Sequence, residues 1–197
     1  MNYKNRIIFL GYSKKKTKII DFLKKKNFEV IEFRQKKINY QKIHRNDLLV
    51  SFGYKRIIGE KILKKLNFSP VNLHMSYLPY NRGSHPNFWS FIENTPKGVT
   101  IHKINDKIDA GDIICQKKII IELNRKTTFY STYKILFNEI EKLFVKNFKI
   151  ILEKMYKSNV LKNYKPKVNK NKGSFHFKKE LPKNFNWKQP IISYLKT

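Results

Sequence analysis

The sequence predicts an α/β fold: a mostly parallel sheet flanked by helices, with a short C-terminal extension. Three observations lead there. Short β-branched and aromatic runs alternate with amphipathic helical segments, which is the pattern of strand–crossover–strand units. At 197 residues, 41% hydrophobic and 14% aromatic, the chain can bury a core without disulfides. No apolar run approaches the roughly 18 residues that a bilayer crossing needs.

The elements follow in order. Arg6-Ile-Ile-Phe-Leu-Gly11 reads as a buried strand ending at a glycine. Ser13 is placed to cap a helix running to about Lys26, with Ile19, Ile20, Phe22 and Leu23 as its apolar side. Phe28-Glu-Val-Ile-Glu-Phe33 alternates and reads as a second strand, and Asp47-Leu-Leu-Val-Ser-Phe52 as a third. A short helix over 58–66 precedes Val71-Asn-Leu-His74, a fourth strand or its end. Tyr77-Leu-Pro-Tyr-Asn-Arg-Gly83 is a rigid turn, and Ser84 and Pro86 open a helix through Asn94. Gly98 to Ile104 is a strand, Asp109-Ala-Gly-Asp112 a tight turn, and Ile113 to Leu123 a further strand. From Thr128 a long helix carries Phe129, Leu136, Ile140, Phe144, Ile151 and Met155 on one stripe, a core-packing pattern. Residues 159–172 lose periodicity and read as a basic linker. Gly173 to Thr197 holds enough aromatics (Phe175, Phe177, Phe185, Trp187, Tyr194) to pack back on the body.

The net charge of +29 first suggests nucleic acid or an anionic membrane. Only 6 of the 43 cationic residues are arginine, the side chain suited to bidentate phosphate contacts. There are 20 asparagines and one alanine, Ala110. A Lys/Asn-rich, Ala/Arg-poor composition is what AT-rich coding writes into any protein, so the charge does not identify a partner. The segment from Asn72 to Gln116 is neutral, with four basic and four acidic residues, and it concentrates Gly, Pro, His and Trp. The single cysteine, Cys115, excludes a disulfide scaffold and a cysteine-cluster zinc site, and no metal-ligand spacing is present. The N-terminal apolar run is too short for a signal-peptide core, so the expected setting is cytoplasmic, with no membrane partner.

In open parallel sheets ligands bind at the carboxyl ends of the strands. Asn72 and His74 sit at such an end and, two apart on a strand, face the same side. Asp109 lies 35 residues beyond His74, where a crossover could bring it alongside. Amide, imidazole and carboxylate together can handle a proton and stabilise an oxyanion. Taken singly, each is more ordinarily a turn residue or a structural histidine. Trp89 and Phe88 read as core, and His85 and His102 divide evenly between structure and substrate contact. His176, flanked by aromatics, fits stacking on a base as well as it fits packing.

Three motifs in order, Asn72-Leu-His-Met-Ser-Tyr-Leu-Pro-Tyr-Asn-Arg-Gly83, Gly98-Val-Thr-Ile101 and Ile108-Asp-Ala-Gly-Asp-Ile-Ile114, resemble the folate-dependent formyltransferases. That family includes methionyl-tRNA, glycinamide ribonucleotide and amino-sugar enzymes, and the wording here is closest to small sugar-type members. The resemblance implies a Rossmann-like formyltransferase catalytic domain over 1–158, followed by the basic linker and aromatic extension of 159–197. With 71 residues before Asn72, the N-terminal part reads as shortened by one strand–helix unit; the glycine-rich phosphate loop of the ribonucleotide enzyme is missing, and the barrel domain of the tRNA enzymes has no room. The implied co-substrate is 10-formyltetrahydrofolate, with no metal. Asn72, His74 and Asp109 would be catalytic, the first two as oxyanion donors and Asp109 orienting His74 and helping to accept the amine proton. Arg56, Ile57, Ile58, Asp106, Ile108 and Asp109 would cradle the pterin. Tyr80, Asn81, Arg82, Gly83 and His85 would border the mouth for the amine substrate, expected to be a sugar nucleotide whose base meets Phe175 or Phe177. A compact methionyl-tRNA formyltransferase binding tRNA, a formyltetrahydrofolate hydrolase and a degenerate RNA-binding protein are the alternatives, and a homodimer is left open.

Overall fold

The computed structural model describes residues 5–157 and 173–195. A six-stranded sheet runs in the order β2-β1-β3-β4-β6-β7. Its strands are β1 (Arg6–Gly11), β2 (Glu29–Phe33), β3 (Leu48–Phe52), β4 (Val71–His74), β6 (Gly98–Lys103) and β7 (Ile113–Lys118). The first four are mutually parallel; β6 is antiparallel to β4, and β7 to β6. A second, two-stranded parallel sheet pairs β5 (Arg82–Gly83) with β8 (Phe175–His176).

Period-two alternation divides β1 between two cores. Ile7 and Phe9 join a cluster with Ile19, Ile20 and Leu23 of α1 (Ile19–Lys25) and with Leu136, Ile140 and Phe144 of α4 (Phe129–Lys146). Ile8 and Leu10 face the other way, onto Ile38, Ile43, Leu49 and Leu66. All four β1 side chains are fully buried, as expected for a central strand covered on both faces. A third cluster seats the C-terminal segment on the body: Ile191 of α6 (Ile191–Leu195) meets Phe88 and Phe91 of α3 (Pro86–Ile92) and Phe129 of α4, with Phe185, Trp187 and Tyr194 packed around them.

Several boundaries differ from the sequence reading. Ser13 does not cap α1; its carbonyl closes a turn with Lys16 and Thr17, and the helix begins at Ile19. The free N–H of Lys18 is answered from outside, by the buried carboxylate of Glu141 on α4 at 2.8 Å. The helix expected over 58–66 is α2 (Glu60–Lys65). The strand expected to reach Leu123 stops at Lys118, and Ile120 stands 88% exposed. The long C-terminal helix breaks at Asn147, whose side-chain amide bonds the Leu143 carbonyl at 2.9 Å, and resumes as α5 (Phe148–Tyr156). The expected linker over 159–172 lies outside the described residues. No described helix is long and apolar enough to cross a membrane.

Phe129 joins α4 to the C-terminal segment, with ring centroids 5.1 Å from Phe185 and 5.4 Å from Tyr194, and it is fully buried. Phe129→Ala is expected to cost about 3–5 kcal/mol of stability, read as a lower urea midpoint.

Candidate active site

β4 runs beside β3 with Asn72 opposite Ser51 and beside β6 with Asn72 opposite His102. Asn72 and His74 therefore project from one side at the carboxyl edge of the parallel strands. Asp109 reaches them from the β6–β7 connection. Because β6 is antiparallel to β4, that connection is a hairpin, and it is this hairpin rather than a crossover that folds Asp109 over the β4 side chains. Gly111 makes the fold possible: a Cβ there would collide with the Lys103 carbonyl. Asp109 has a φ of 49°, a left-handed conformation that costs an L-residue about 1–2 kcal/mol. Asn81 and His85, at φ 56° and 55°, share it.

One carboxylate gathers the site. Asp109 Oδ1 accepts from the Asn72 amide at 3.1 Å, and Oδ2 accepts from the Gly83 backbone N–H at 2.9 Å. His74 Nδ1 and His102 Nε2 each stand 3.5 Å from an Asp109 oxygen. The outer nitrogens of both rings face carbonyls, which can only accept. His74 Nε2–H donates to Asn81 at 3.1 Å, and His102 Nδ1–H donates to Lys103 at 2.7 Å. In the neutral rings, His74 Nδ1 and His102 Nε2 then carry lone pairs toward the carboxylate. The second Asn72 N–H is directed at His102 Nε2, 3.3 Å away.

Burial alone would raise the Asp109 carboxyl, but the two imidazoles and the Gly83 N–H outweigh it and hold the group far below its ordinary 3.8. The Gly83 and Asn72 donors act whatever the charge on the rings, so Asp109 stays ionised at neutral pH. Burial pushes His74 below its ordinary 6.5 against the pull of Asp109, and His102 adds to the lowering. An anionic carboxylate thus faces an imidazole that is neutral but has a ready place for a proton on Nδ1.

These groups line a cavity of about 410 Å³, a size typical of small-molecule sites. Arg56, Ile57, Ile58, Asp106, Ile108 and Asp109 all line it, on two loops flanking the Asn72–His74 edge. Of the residues expected at the mouth, only Gly83 does so. Tyr80, Asn81 and Arg82 are not in the cavity wall. Asn81 is fully buried, its amide committed to Glu93 at 2.9 Å and its side-chain oxygen to Thr95 at 2.7 Å, so it braces the turn. His85 lies beside Trp187, with ring centroids 5.7 Å apart.

Sequence reasoning missed one feature. Gln35, just after β2, clamps the loop that follows β3: its side chain bonds the Gly53 carbonyl at 2.8 Å and the Lys55 N–H at 3.0 Å, and its carbonyl accepts from Arg56 Nε at 2.8 Å. Nothing in a lone glutamine marks such a contact. Phe175 and Phe177, expected to meet a base, do line the cavity, with His176 and Lys178 beside them. Among the described residues no group of three or more His, Cys, Asp or Glu side chains could hold a metal ion.

A carboxylate-held amide and imidazole stand at the edge of a parallel sheet, beside a cavity walled by two loops, an arrangement able to move a proton and to stabilise an oxyanion. The family model described as formyl transferase matches residues 4–145, and the chain belongs to that family. The formyltransferase PseJ from Anoxybacillus kamchatkensis, solved with UDP-4,6-dideoxy-4-formamido-L-AltNAc and tetrahydrofolate, is 33% identical, with a TM-score of 0.79 over 97% of both chains. The bifunctional polymyxin resistance protein ArnA of Wigglesworthia glossinidia brevipalpis is 41% identical over 100 residues, or 50% of this chain. The dTDP-4-amino-4,6-dideoxyglucose formyltransferase of Mycobacterium bovis is 39% identical over 80 residues, or 41% of this chain. The chain spans 15% and 33% of the lengths of these last two.

The His74 environment has a consequence for stability. Folded His74 titrates below 6.5, so between the two values the unfolded chain binds more protons. The contribution of this group is therefore fully present above 6.5 and is lost as pH falls through the folded value. The urea midpoint is expected to drop as pH falls below 6.5 and through the folded value, and His74→Gln to flatten that drop.

Proposed function

We propose that the protein transfers the formyl group of 10-formyltetrahydrofolate to the primary amine of a nucleotide-linked amino sugar. The observation that carries this reading is the convergence of Asn72, His74 and Asp109 in one cavity. Its support is the end-to-end likeness to PseJ, whose structure holds tetrahydrofolate and a formamido sugar nucleotide. The single cysteine fits a cytoplasmic reaction.

The chemistry follows from the groups present. The amine attacks the formyl carbon, and the carbonyl oxygen gains negative charge. The Asn72 N–H directed at His102 is the weaker of its two bonds, 3.3 Å against 3.1 Å, and is the one a developing oxyanion would replace. A preorganised donor of this kind contributes about 3 kcal/mol to the barrier. His74 serves differently from the role that the resemblance implied. Its Nε2–H is held by the Asn81 carbonyl, which leaves Nδ1 as the basic atom. The ammonium proton of the addition intermediate moves to Nδ1, where Asp109, 3.5 Å away, stabilises the imidazolium. Collapse of the intermediate breaks the bond to N10 of the folate, which takes up a proton, and releases the formamide and tetrahydrofolate. The loops carrying Arg56–Ile58 and Asp106–Asp109 would hold the pterin, with Gln35 fixing the first of them.

Incubation with 10-formyltetrahydrofolate and a panel of 3-amino and 4-amino sugar nucleotides, read by mass spectrometry, tests the assignment. A formamido product is expected with at least one of them. Formylation of methionyl-tRNA alone, or hydrolysis of the donor alone, would replace the acceptor. Asn72→Ala, His74→Ala and Asp109→Ala are each expected to lower turnover at least about a hundredfold. Near-normal turnover in any two of them would overturn the assignment. Gln35→Ala is expected to raise KM for the folate several-fold while leaving KM for the amine unchanged.

A further inference from the structure

Two backbone atoms of the turn after β4 hold the reacting groups in place. The Asn81 carbonyl accepts from His74 Nε2–H at 3.1 Å, and the Gly83 N–H donates to Asp109 Oδ2 at 2.9 Å. Asn81 does so from a left-handed backbone, φ 56°, that its surroundings must hold. Every other polar atom of this buried residue is tied down as well. Nδ2 donates to Glu93 Oε2 at 2.9 Å and to Ser174 Oγ at 3.3 Å. Oδ1 accepts from Thr95 Oγ1 at 2.7 Å, and the backbone N–H donates to Ser174 Oγ at 2.9 Å.

Glu93 is the centre of that brace. It follows α3 directly, at the carbonyl end of the helix, where the helix dipole disfavours a carboxylate. Its Oε2 takes the Asn81 amide, and its Oε1 stands 2.9 Å from His176 Nε2. His176 is fixed in turn: its ring stacks on Trp89 at 4.0 Å with 9° between the planes, and its Nδ1 stands 3.3 Å from Glu180 Oε2. Its backbone carbonyl accepts from Ser84 N–H at 2.9 Å, next to Gly83. Contacts that leave His74 through Asn81 and Glu93 therefore reach His176 and return along β8 and β5 to Gly83 and Asp109. Glu93 and Thr95 both lie outside the cavity wall.

A neutral imidazole has one proton for two nitrogens, and the hydrogen bond made at each nitrogen decides where it rests. Two acceptors compete for it on His74: the Asn81 carbonyl at Nε2, and the Asp109 carboxylate 3.5 Å from Nδ1. An anionic carboxylate is in general the stronger acceptor. The carbonyl prevails here because it is closer and cannot turn away. We propose that Glu93, fixed by His176, is a positioning residue: by locking Asn81 it holds the His74 proton on Nε2 and leaves Nδ1 free as the base. Without the Glu93 bond, Asn81 is released to rotate its carbonyl, the proton passes to Nδ1 against Asp109, and the base is lost. The use of Nδ1 rests on the functional reading above; the tautomer is a property of the free protein.

The test reads the tautomer directly, by long-range proton–nitrogen NMR correlation on the full chain with labelled histidine, the His74 signals being assigned by their loss in His74→Gln. The wild-type protein is expected to carry the His74 proton on Nε2. In Glu93→Ala the proton should move to Nδ1. Turnover (kcat) with 10-formyltetrahydrofolate and the productive sugar nucleotide of the panel should then fall at least about tenfold, as for a base held in the wrong tautomer. KM for both substrates should stay within about twofold, because Glu93 is outside the cavity wall. Glu93→Gln keeps an acceptor for Asn81 and should restore both the tautomer and kcat. Thr95→Val removes the other bond to the Asn81 side chain and should shift the tautomer the same way, so it stands in if Glu93→Ala does not fold. A wild-type proton on Nδ1 overturns the proposal, and so does an Nε2 proton retained in Glu93→Ala or in its stand-in, whatever the turnover. Glu93→Gln as impaired as Glu93→Ala, or a rise in KM with kcat unchanged, also overturns it. A tautomer that follows Glu93 in a protein that formylates no amino sugar would overturn the functional reading and leave the positioning role standing.

Discussion

Everything at the site is arranged around the Asp109 carboxylate. A nearly buried anion is tolerated only when donors replace the water it has lost. Here the donors come from two separate stretches of chain, the Asn72 amide on β4 and the backbone of Gly83 in the turn, and the imidazoles of His74 and His102 stand 3.5 Å from the carboxylate on adjacent strands. Holding the carboxylate also fixes its partners. Asn72 is oriented by one N–H, and His74 is caught between Asp109 and the Asn81 carbonyl. Left-handed backbone at Asp109, Asn81 and His85 is the local cost of this arrangement, and the surrounding contacts hold it in place.

The C-terminal segment shares in that arrangement. Gly83 is held on one side by Asp109 and on the other by β8, and its lack of a Cβ lets the His176 carbonyl and the Phe175 ring approach. The aromatic cluster around Phe129 and Ile191 anchors the segment beyond the cavity. A region that reads as an appended tail thus forms one wall of the site and braces the turn that supplies a donor to Asp109.

Much of this was legible from the chain alone. The β1 to β4 runs, the core stripe of α4 and the pairing of Asn72 with His74 follow from periods of two and 3.6, which are local properties of the backbone. The spaced motifs around Asn72, Gly98 and Asp109 carried the formyltransferase resemblance, and the family match over 4–145 agrees with it. Element ends were less legible. Ser13 has the residue type of a helix cap, but the partner that opens α1 is Glu141, 123 residues away from Lys18. Asn147 breaks the long helix through a side-chain bond that the hydrophobic stripe does not register.

The sequence by itself determined which residue types could do the chemistry, and that two of them share one side of a strand. Tertiary structure decided which atoms are available. Asn81 looks like a substrate contact until its amide is found buried on Glu93 and Thr95, and His74 looks like an oxyanion donor until its Nε2 is found on the Asn81 carbonyl. Gln35 carries no local signal for its place, because a clamp is defined by what lies opposite it. Periodicity reports which way a side chain points relative to its own backbone. Hydrogen-bond partners across 26 or 123 residues, such as Gly83 with Asp109 or Lys18 with Glu141, are set only when the sheet and its connections close.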